Sequence, residues 1–487
     1  MSNPHRVTRR QFLAGTAATG AAVMVVSDHV FGASERVGCG VVGCGGRGTS
    51  HVGWAKSSGG EMVAVSDPDA GHMAGAAKKA GTDVKQYTDF RKLLADKSVD
   101  AVIFGTPNHW HALGTVMACQ AGKDVYVEKP ASHSIWEGRK MVEAARKYKR
   151  IVQVGTQQRS DPAYITLRKK IAKKELGKVQ WVHSLWYAHR GPIGKVDGPQ
   201  PIPEGVNYDL WCGPREVVPL RRKRFHYDWH WFWDYGNGDM GNRVIHTIDD
   251  VHHVLQIGGD VPRRMMAVGG RFKYDDDANT PNTEFIIMDW KVPIIFGSRN
   301  LPYVDPKTGK PKGTAVYRRF GRSFRFTNLI KCENGFFAVS RGGGAVYDND
   351  GKQVEKIKGD GGGGHMQNWI DAVRSRKVED LRGDVLGAHL SSVMLHTGNI
   401  SYRIGKRVDV SEVAKAVKGG EESEETWKQT LDHLKRNGVD LAAEKPILGP
   451  WLTFDPKTER FTGDHAAQAN ALVKESYRPP YVIRDRV

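Results

Sequence analysis

The feature that most constrains the fold is an apolar run that ends in a glycine loop. Val37–Val42 has the length of a buried strand, and it breaks into Gly43-Cys44-Gly45-Gly46-Arg47-Gly48. A helix-compatible stretch follows from Thr49 to about Ser58, and then a second strand, Met62–Ser66, ending at Asp67. Strand, glycine turn, helix, strand and acid in this order form a dinucleotide-binding unit. Gly43 permits the tight turn, Gly45 lets the backbone approach a pyrophosphate, and Gly48 lets the helix pack close. Cys44, Gly46 and Arg47 complete the loop that faces the cofactor. Asp67 stands 19 residues after Gly48, close to the ~20 expected of a carboxylate that binds the ribose diol. An acid there repels a 2′-phosphate, which favours NAD over NADP. Before Pro68 the same residue can also cap a helix, and the two roles can coexist.

The alternation continues. Asp89–Ala95 predicts a helix, Ala101–Gly105 a strand, His111–Ala121 a helix and Asp124–Val127 a strand. A helix to about Tyr148 and the strand Ile151–Gly155 close the series. Such a pattern predicts a doubly wound parallel sheet, whose functional residues lie at the carboxyl ends of the strands. Thr106-Pro107-Asn108, Glu128-Lys129-Pro130 and Gly155-Thr156-Gln157 all stand at such ends.

Together these pieces resemble the Gfo/Idh/MocA family of oxidoreductases, the glucose–fructose oxidoreductase and inositol dehydrogenase type. The matching features are the glycine loop, Asp67, Thr106-Pro107-Asn108 with His111, and Glu128-Lys129-Pro130. Gly236-Asn237-Gly238 with His246-x-x-Asp249, and Gly364-His365-Met366 with Trp369-Ile370, also match; the span runs from about residue 36 to about residue 410. The resemblance implies an N-terminal Rossmann domain and a C-terminal α/β domain with an open, mainly antiparallel sheet that often forms subunit contacts. It implies oxidation of a sugar or cyclitol hydroxyl, or the reverse, with cofactor contacts at Thr106, Asn108, His111, Glu128, Lys129 and Gln157. Lys129 is expected beside the nicotinamide and the reacting oxygen, and His246 as acid/base.

Removing a hydride from a secondary alcohol needs a base for the hydroxyl proton and a cation or donor for the developing alkoxide. Lys129 suits the second task and His246 the first. Asn242 lies four residues before His246, on the same face of a helix predicted from Asp239 to about Ile257. Many family members carry Asp at this position. An amide can orient an imidazole but cannot neutralise an imidazolium, so either the His246 pKa is lower here, or Asp249 or Asp250 supplies the charge, or His246 mainly binds substrate. The run Phe225–Tyr235 is dense in aromatic rings. Most belong to packing, with Trp233 and Tyr235 expected to line the substrate space beside Lys129, Asn242, His246 and Asp249. No metal-ligand spacing and no nucleophile elbow are present.

The first 33 residues read as an address. Thr8-Arg9-Arg10-Gln11-Phe12-Leu13 precedes an uncharged stretch to Val26, the pattern of a twin-arginine export signal. It implies the twin-arginine machinery as a partner and a periplasmic or otherwise exported location. Cleavage falls near Ala33, although Phe31 is a poor match at the −3 position. Five cysteines without CxxC spacing form neither a disulfide framework nor a metal site. The domains are expected at 1–33 (signal), 34–158 (NAD-binding), 159–410 (substrate and oligomerisation) and 411–487 (C-terminal extension). The net charge of +18 is uneven: residues 291–331 hold ten Lys or Arg against Asp305 alone. No nucleic-acid-binding motif accompanies it. A solvated basic face or a contact between copies, through the C-terminal sheet of a homo-oligomer, is the favoured reading, with anionic glycans a further one. The function expected is an exported NAD-dependent oxidoreductase on a secondary hydroxyl or ketone of a sugar or cyclitol, its cofactor tightly bound. Two alternatives stay open: a non-redox glycosidase or epimerase working by transient oxidation, and a non-catalytic carbohydrate-binding relative.

Overall fold

A computed structural model describes residues 36–255 and 260–487. The twin-arginine segment and its cleavage position lie outside the described residues. Six short runs form the first sheet: β1 (Val37–Val42), β2 (Gly60–Ser66), β3 (Lys85–Tyr87), β4 (Ala101–Phe104), β5 (Asp124–Val127) and β6 (Val152–Val154). All are parallel, in the order β3-β2-β1-β4-β5-β6. β1, β4 and β5 are buried along their whole length, as a sheet covered on both faces requires. The order reverses between β1 and β4, which places the ligand crevice at their carboxyl ends. β3 was not expected from sequence; its three residues are largely exposed and carry no apolar run.

The second sheet has twelve strands and is antiparallel throughout except where β10 (Pro293–Arg299) pairs with β7 (Val179–Tyr187). β8 (Arg264–Gly270) and β9 (Thr283–Asp289) continue it. Side chains alternate between its faces. Val182, Ile286, Met288, Ile294 and Phe296 point inward, in one apolar cluster with residues of the helices Pro162–Ala172, Ile245–Val254 and Val385–Arg403. On the outer face, Leu185 and Tyr187 pack with Ala315, Tyr317 and Phe324, while Met266, Val268, Phe285, Ile287 and Ile295 pack with Val413, Val417 and Trp427.

The outer face of this sheet is not bare. The face is covered by the chain itself, through the stretch 315–324 and the helices Val410–Ala416 and Glu421–Arg436. The basic window has a matching explanation. Arg319 pairs with Glu421 and Glu422, and buried Arg299 donates to the Thr430 hydroxyl at 2.8 Å. Part of that charge is therefore met by the acidic start of the last long helix. The stretch from 411, expected as an extension, also adds Ile447–Leu448 and Leu452–Asp455 to the edge of the sheet beside β8. Its final turns return to the first domain, where Tyr481, Ile483 and Val487 join the apolar cluster of Trp110, Met141 and Val142.

Candidate active site

A cleft of about 720 Å³ opens at the carboxyl ends of β1, β2, β4 and β5. The glycine loop forms its floor. Gly43 adopts φ +82°, and a Cβ on Gly48 would fall 1.7 Å from the Gly43 carbonyl oxygen. Turn and helix start can therefore touch only as glycines. Gly46, by contrast, faces open space, so the amides opening the helix Gly46–Ser57 are free for an anion. At the far end of the cleft, the Asp67 carboxylate accepts from the backbone N–H of Cys44 at 2.5 Å and of Asp69 at 2.8 Å. Burial pushes Asp67 up to about 6, against those bonds. A glycine cradle, exposed helix-start amides and the Asp67 carboxylate in the same cleft fit a dinucleotide without a 2′-phosphate.

The other end is built by Glu128 and Lys129. Burial disfavours ionised Glu128, but His51 at 3.0 Å, with Arg47 and Lys129, holds its carboxyl below the usual range. Gln157 donates to the same carboxylate at 3.4 Å and to the Tyr126 hydroxyl at 3.1 Å. Burial, opposed by Glu128, pushes Lys129 down to about 8. Its ammonium donates to the Asn242 carbonyl at 2.7 Å and reaches Asn242 Oδ1 at 3.4 Å. That carbonyl belongs to a π-helical turn, Met240–Val244, which precedes the α-helix Ile245–Val254. Wider turns of this kind release a carbonyl from the helix ladder and mark functional sites. The Lys129–Pro130 peptide is cis. His111 lies behind it, its ring nitrogens 2.7 Å from the Pro130 carbonyl and 2.9 Å from the Thr106 carbonyl. It ties the ends of β4 and β5 together. Asn108 lines the cleft and donates to Asn237 Oδ1 at 3.0 Å.

The expected residues thus separate. Gly43, Gly45, Gly46, Arg47, Asp67, Thr106, Asn108, Glu128, Lys129 and Asn242 line one cleft. Cys44, Gly48, His111 and Gln157 sit behind that lining and hold it. His246 is half-buried, one turn beyond Asn242, its ring stacked on Trp186 at 5.7 Å. Three substrate expectations need correction. Asp249 is buried in a bidentate pair with Arg159, at 2.6 and 2.8 Å, and accepts from Ser391. Tyr235 packs among Trp211, Phe225 and Trp229. Trp233 lies in a separate depression beside Tyr402 and Arg403. The cause is a reversal of the chain at Phe232–Gly236, where the N–H groups of Tyr235 and Gly236 both bond to the Phe232 carbonyl. The cleft instead receives His226, Tyr227, Trp229 and His230 from the same run.

These residues arrive on the excursion 191–239, which reaches the first domain beside Asp67. Gly205 accepts from Ala70 N–H at 3.1 Å, Asn207 N–H donates to Pro68 at 2.8 Å, and His226 Nε2 lies 2.8 Å from Asp69 Oδ2. Asp69, His72 and His226 bring three metal-type donors within 4.8 Å of one another. Linear spacing hides this convergence because His226 comes from the excursion. Asp69 is already engaged, one oxygen capping the helix Ala70–Ala80 and the other facing His226. The cluster serves here as a seam between the two domains.

Comparison with known proteins agrees with this geometry. The Gfo/Idh/MocA oxidoreductase model for an NAD-binding Rossmann fold matches residues 37–156, and the model of that family's C-terminal alpha/beta domain matches residues 179–310. Inositol 2-dehydrogenase of Salmonella typhimurium is 34% identical over 174 residues, 35% of this chain and 52% of that protein. The scyllo-inositol 2-dehydrogenase (NAD(+)) of Bacillus subtilis is 34% identical over 146 residues, 30% of this chain and 42% of its own. The chain spans about half the length of the curated relatives it matches. Among solved structures, the WlbA dehydrogenase of Chromobacterium violaceum, in complex with NADH and UDP-GlcNAcA, superposes with a TM-score of 0.55 at 17% identity, covering 75% of this chain and 93% of its own. A levoglucosan dehydrogenase with NADH and levoglucosan gives 0.54 at 14% identity, covering 74% and 95%. At such identities the superpositions show the fold.

Proposed function

The chain belongs to the Gfo/Idh/MocA family of NAD-binding oxidoreductases, and on that premise we propose that it is a dehydrogenase of a secondary hydroxyl on a sugar or cyclitol. The observation that carries this reading is the placing of Lys129, its charge depressed by burial, in the same cleft as the glycine cradle and Asp67. NAD, when bound, supplies the hydride acceptor. The amides of Gly45 and Gly46 and the Arg47 side chain would hold its pyrophosphate, and Asp67 its adenosine ribose. Lys129 donates to the substrate oxygen and stabilises the alkoxide character that develops there. Asn242 keeps the ammonium aimed through its carbonyl, and His111 and Glu128 fix the strand ends that carry it. Inositol 2-dehydrogenases among the relatives make cyclitols the first substrates to try.

A tightly held cofactor is part of the same proposal. The excursion crosses the adenosine end of the cleft, and lifting it would break the bonds at Pro68, Asp69 and Ala70. Export rests on the twin-arginine pattern at Arg9-Arg10. Denaturing the folded, purified protein and identifying any released dinucleotide tests retention. Incubation with NAD and myo-inositol, read as NADH formed, tests the activity. A protein that releases no dinucleotide and binds none when it is added would defeat the reading.

A further inference from the structure

We propose that the substrate is a sugar acid, a sugar or cyclitol ring bearing a carboxylate, and that Arg243 and Arg190 receive that carboxylate beside Lys129. The inference deepens the dehydrogenase reading above and rests on it. Its basis is a surplus of cations at the lysine end of the cleft. Arg243 directly follows Asn242, whose carbonyl holds the Lys129 ammonium, and 24% of its side chain is accessible. Arg190 stands just beyond β7 and donates through Nη1 to the hydroxyl of Tyr227 at 2.9 Å, a residue of the cleft lining.

One carboxylate answers both arginines. Asp239 is buried, 3.3 Å from Arg190 Nη2 and 3.9 Å from Arg243 Nε. It also accepts from Asn300 Nδ2 and, at 3.4 Å, from the Trp231 indole N–H. Two further acids act on this end of the cleft, Glu128 and Asp249, and both are taken. His51 lies 3.0 Å and Arg47 4.0 Å from Glu128, and Asp249 is paired with Arg159. Lys129 is held by a carbonyl, not by a carboxylate. Arg243 Nη1 reaches the Ala188 carbonyl at 3.3 Å. Arg190 Nε is buried and has no hydrogen-bond partner among the described residues.

The crowding shows in the charges themselves. Burial lowers Arg243, Asp239 offsets this only in part, and Arg190 lowers it further. Burial likewise lowers Lys129 against the pull of Glu128, and Arg47 and Arg243 add to the fall. A buried cation that lacks a counter-ion of its own is costly, and an arriving anion relieves that cost. Neutral sugar hydroxyls can accept from a guanidinium but bring no charge. A carboxylate brings the charge, and its two coplanar oxygens match the guanidinium fork. The cation surplus therefore separates acidic from neutral sugars by differential binding.

The test titrates the full-length protein, loaded with NADH, with glucuronate and galacturonate against glucose, galactose and myo-inositol. NADH fluorescence reads binding without turnover. At least one acid should bind about 10–100-fold more tightly than its neutral counterpart, the scale of one hydrogen bond to a charged group. That lead should shrink in high salt, and in Arg243→Gln and Arg190→Gln, while Arg243→Lys should keep part of it. With NAD, kcat/KM should rank the sugars in the same order. Neutral sugars that bind as tightly as both acids, or a lead that survives both glutamine variants, would overturn the proposal; NADH formed from glucose or myo-inositol would then leave the dehydrogenase reading standing. Tighter binding of glucose 6-sulfate than of glucuronate would overturn the carboxylate in favour of an acidic ester. Wild type that binds no NADH overturns the dehydrogenase reading, and the sugar acid with it.

Discussion

Replacing Lys129 by methionine is expected to stabilise the protein and silence it together. The ammonium is held at about 8 where a free lysine titrates at 10.5, a gap worth about 3 kcal/mol at about 1.4 kcal/mol per pH unit. The sign follows from proton counting. Between pH 8 and 10.5 the unfolded chain keeps a proton on this lysine that the folded chain has released, so wild-type stability rises with pH through that window. Below pH 8 the full cost of the buried charge is present. Methionine keeps the length of the side chain and removes the charge, but forfeits the bond to the Asn242 carbonyl, about 1.5–3 kcal/mol for a charged donor. The net expectation is a gain of about 1 kcal/mol at pH 7. That gain should vanish or reverse above pH 10.5, where the lysine becomes neutral in both states. Urea denaturation of wild type and variant at the two pH values reads the difference directly. A difference that stays flat across the window would refute the reasoning, because it would mean that Lys129 is not desolvated.

Three further outcomes follow from the geometry. Asp67 titrates near 6, and its protonated form offers the ribose diol fewer acceptors, so NADH affinity should weaken as pH falls through about 6; equal affinity at pH 5 and pH 8 would place the ribose elsewhere. Gly48→Ala should cost about 1–3 kcal/mol or more and abolish NADH binding, because the new Cβ meets the Gly43 carbonyl, whereas Gly46→Ala should fold as the wild type does; thermal melts that do not separate the two would contradict the cradle. Asp249→Asn should lower stability by about 3–5 kcal/mol, since it leaves buried Arg159 without its charge partner. A variant as stable as wild type would return Asp249 to the candidates for substrate binding.

The first domain was legible because its information is local. A buried parallel strand writes itself as an unbroken apolar run, and Gly43 and Gly48 are needed by backbone contacts within one turn. Lys129 and Asn242 were reachable through short motifs at strand and helix ends. The substrate side was not legible in the same way. Trp233 and Tyr235 resemble Tyr227 and Trp229 in composition, and only the reversal at Phe232–Gly236 decides which rings face the cleft. Asp249 looked like a site residue because its partner Arg159 is 90 positions away, a separation no periodicity reveals. The covered outer face of the second sheet was hidden for the same reason. Val413 and Trp427 meet Met266 and Ile287 only after the chain has crossed the whole domain.

The return of Tyr481, Ile483 and Val487 to the cluster of Trp110, Met141 and Val142 bears on how the molecule is made. The nucleotide-binding half leaves the ribosome first, yet part of its apolar surface is covered only by residues translated long afterwards. In the interval that surface faces water or a chaperone. The half-made chain is therefore a client in need of shelter. The arrival of residues 481–487 acts as a seal that a copy stopped short of them cannot close.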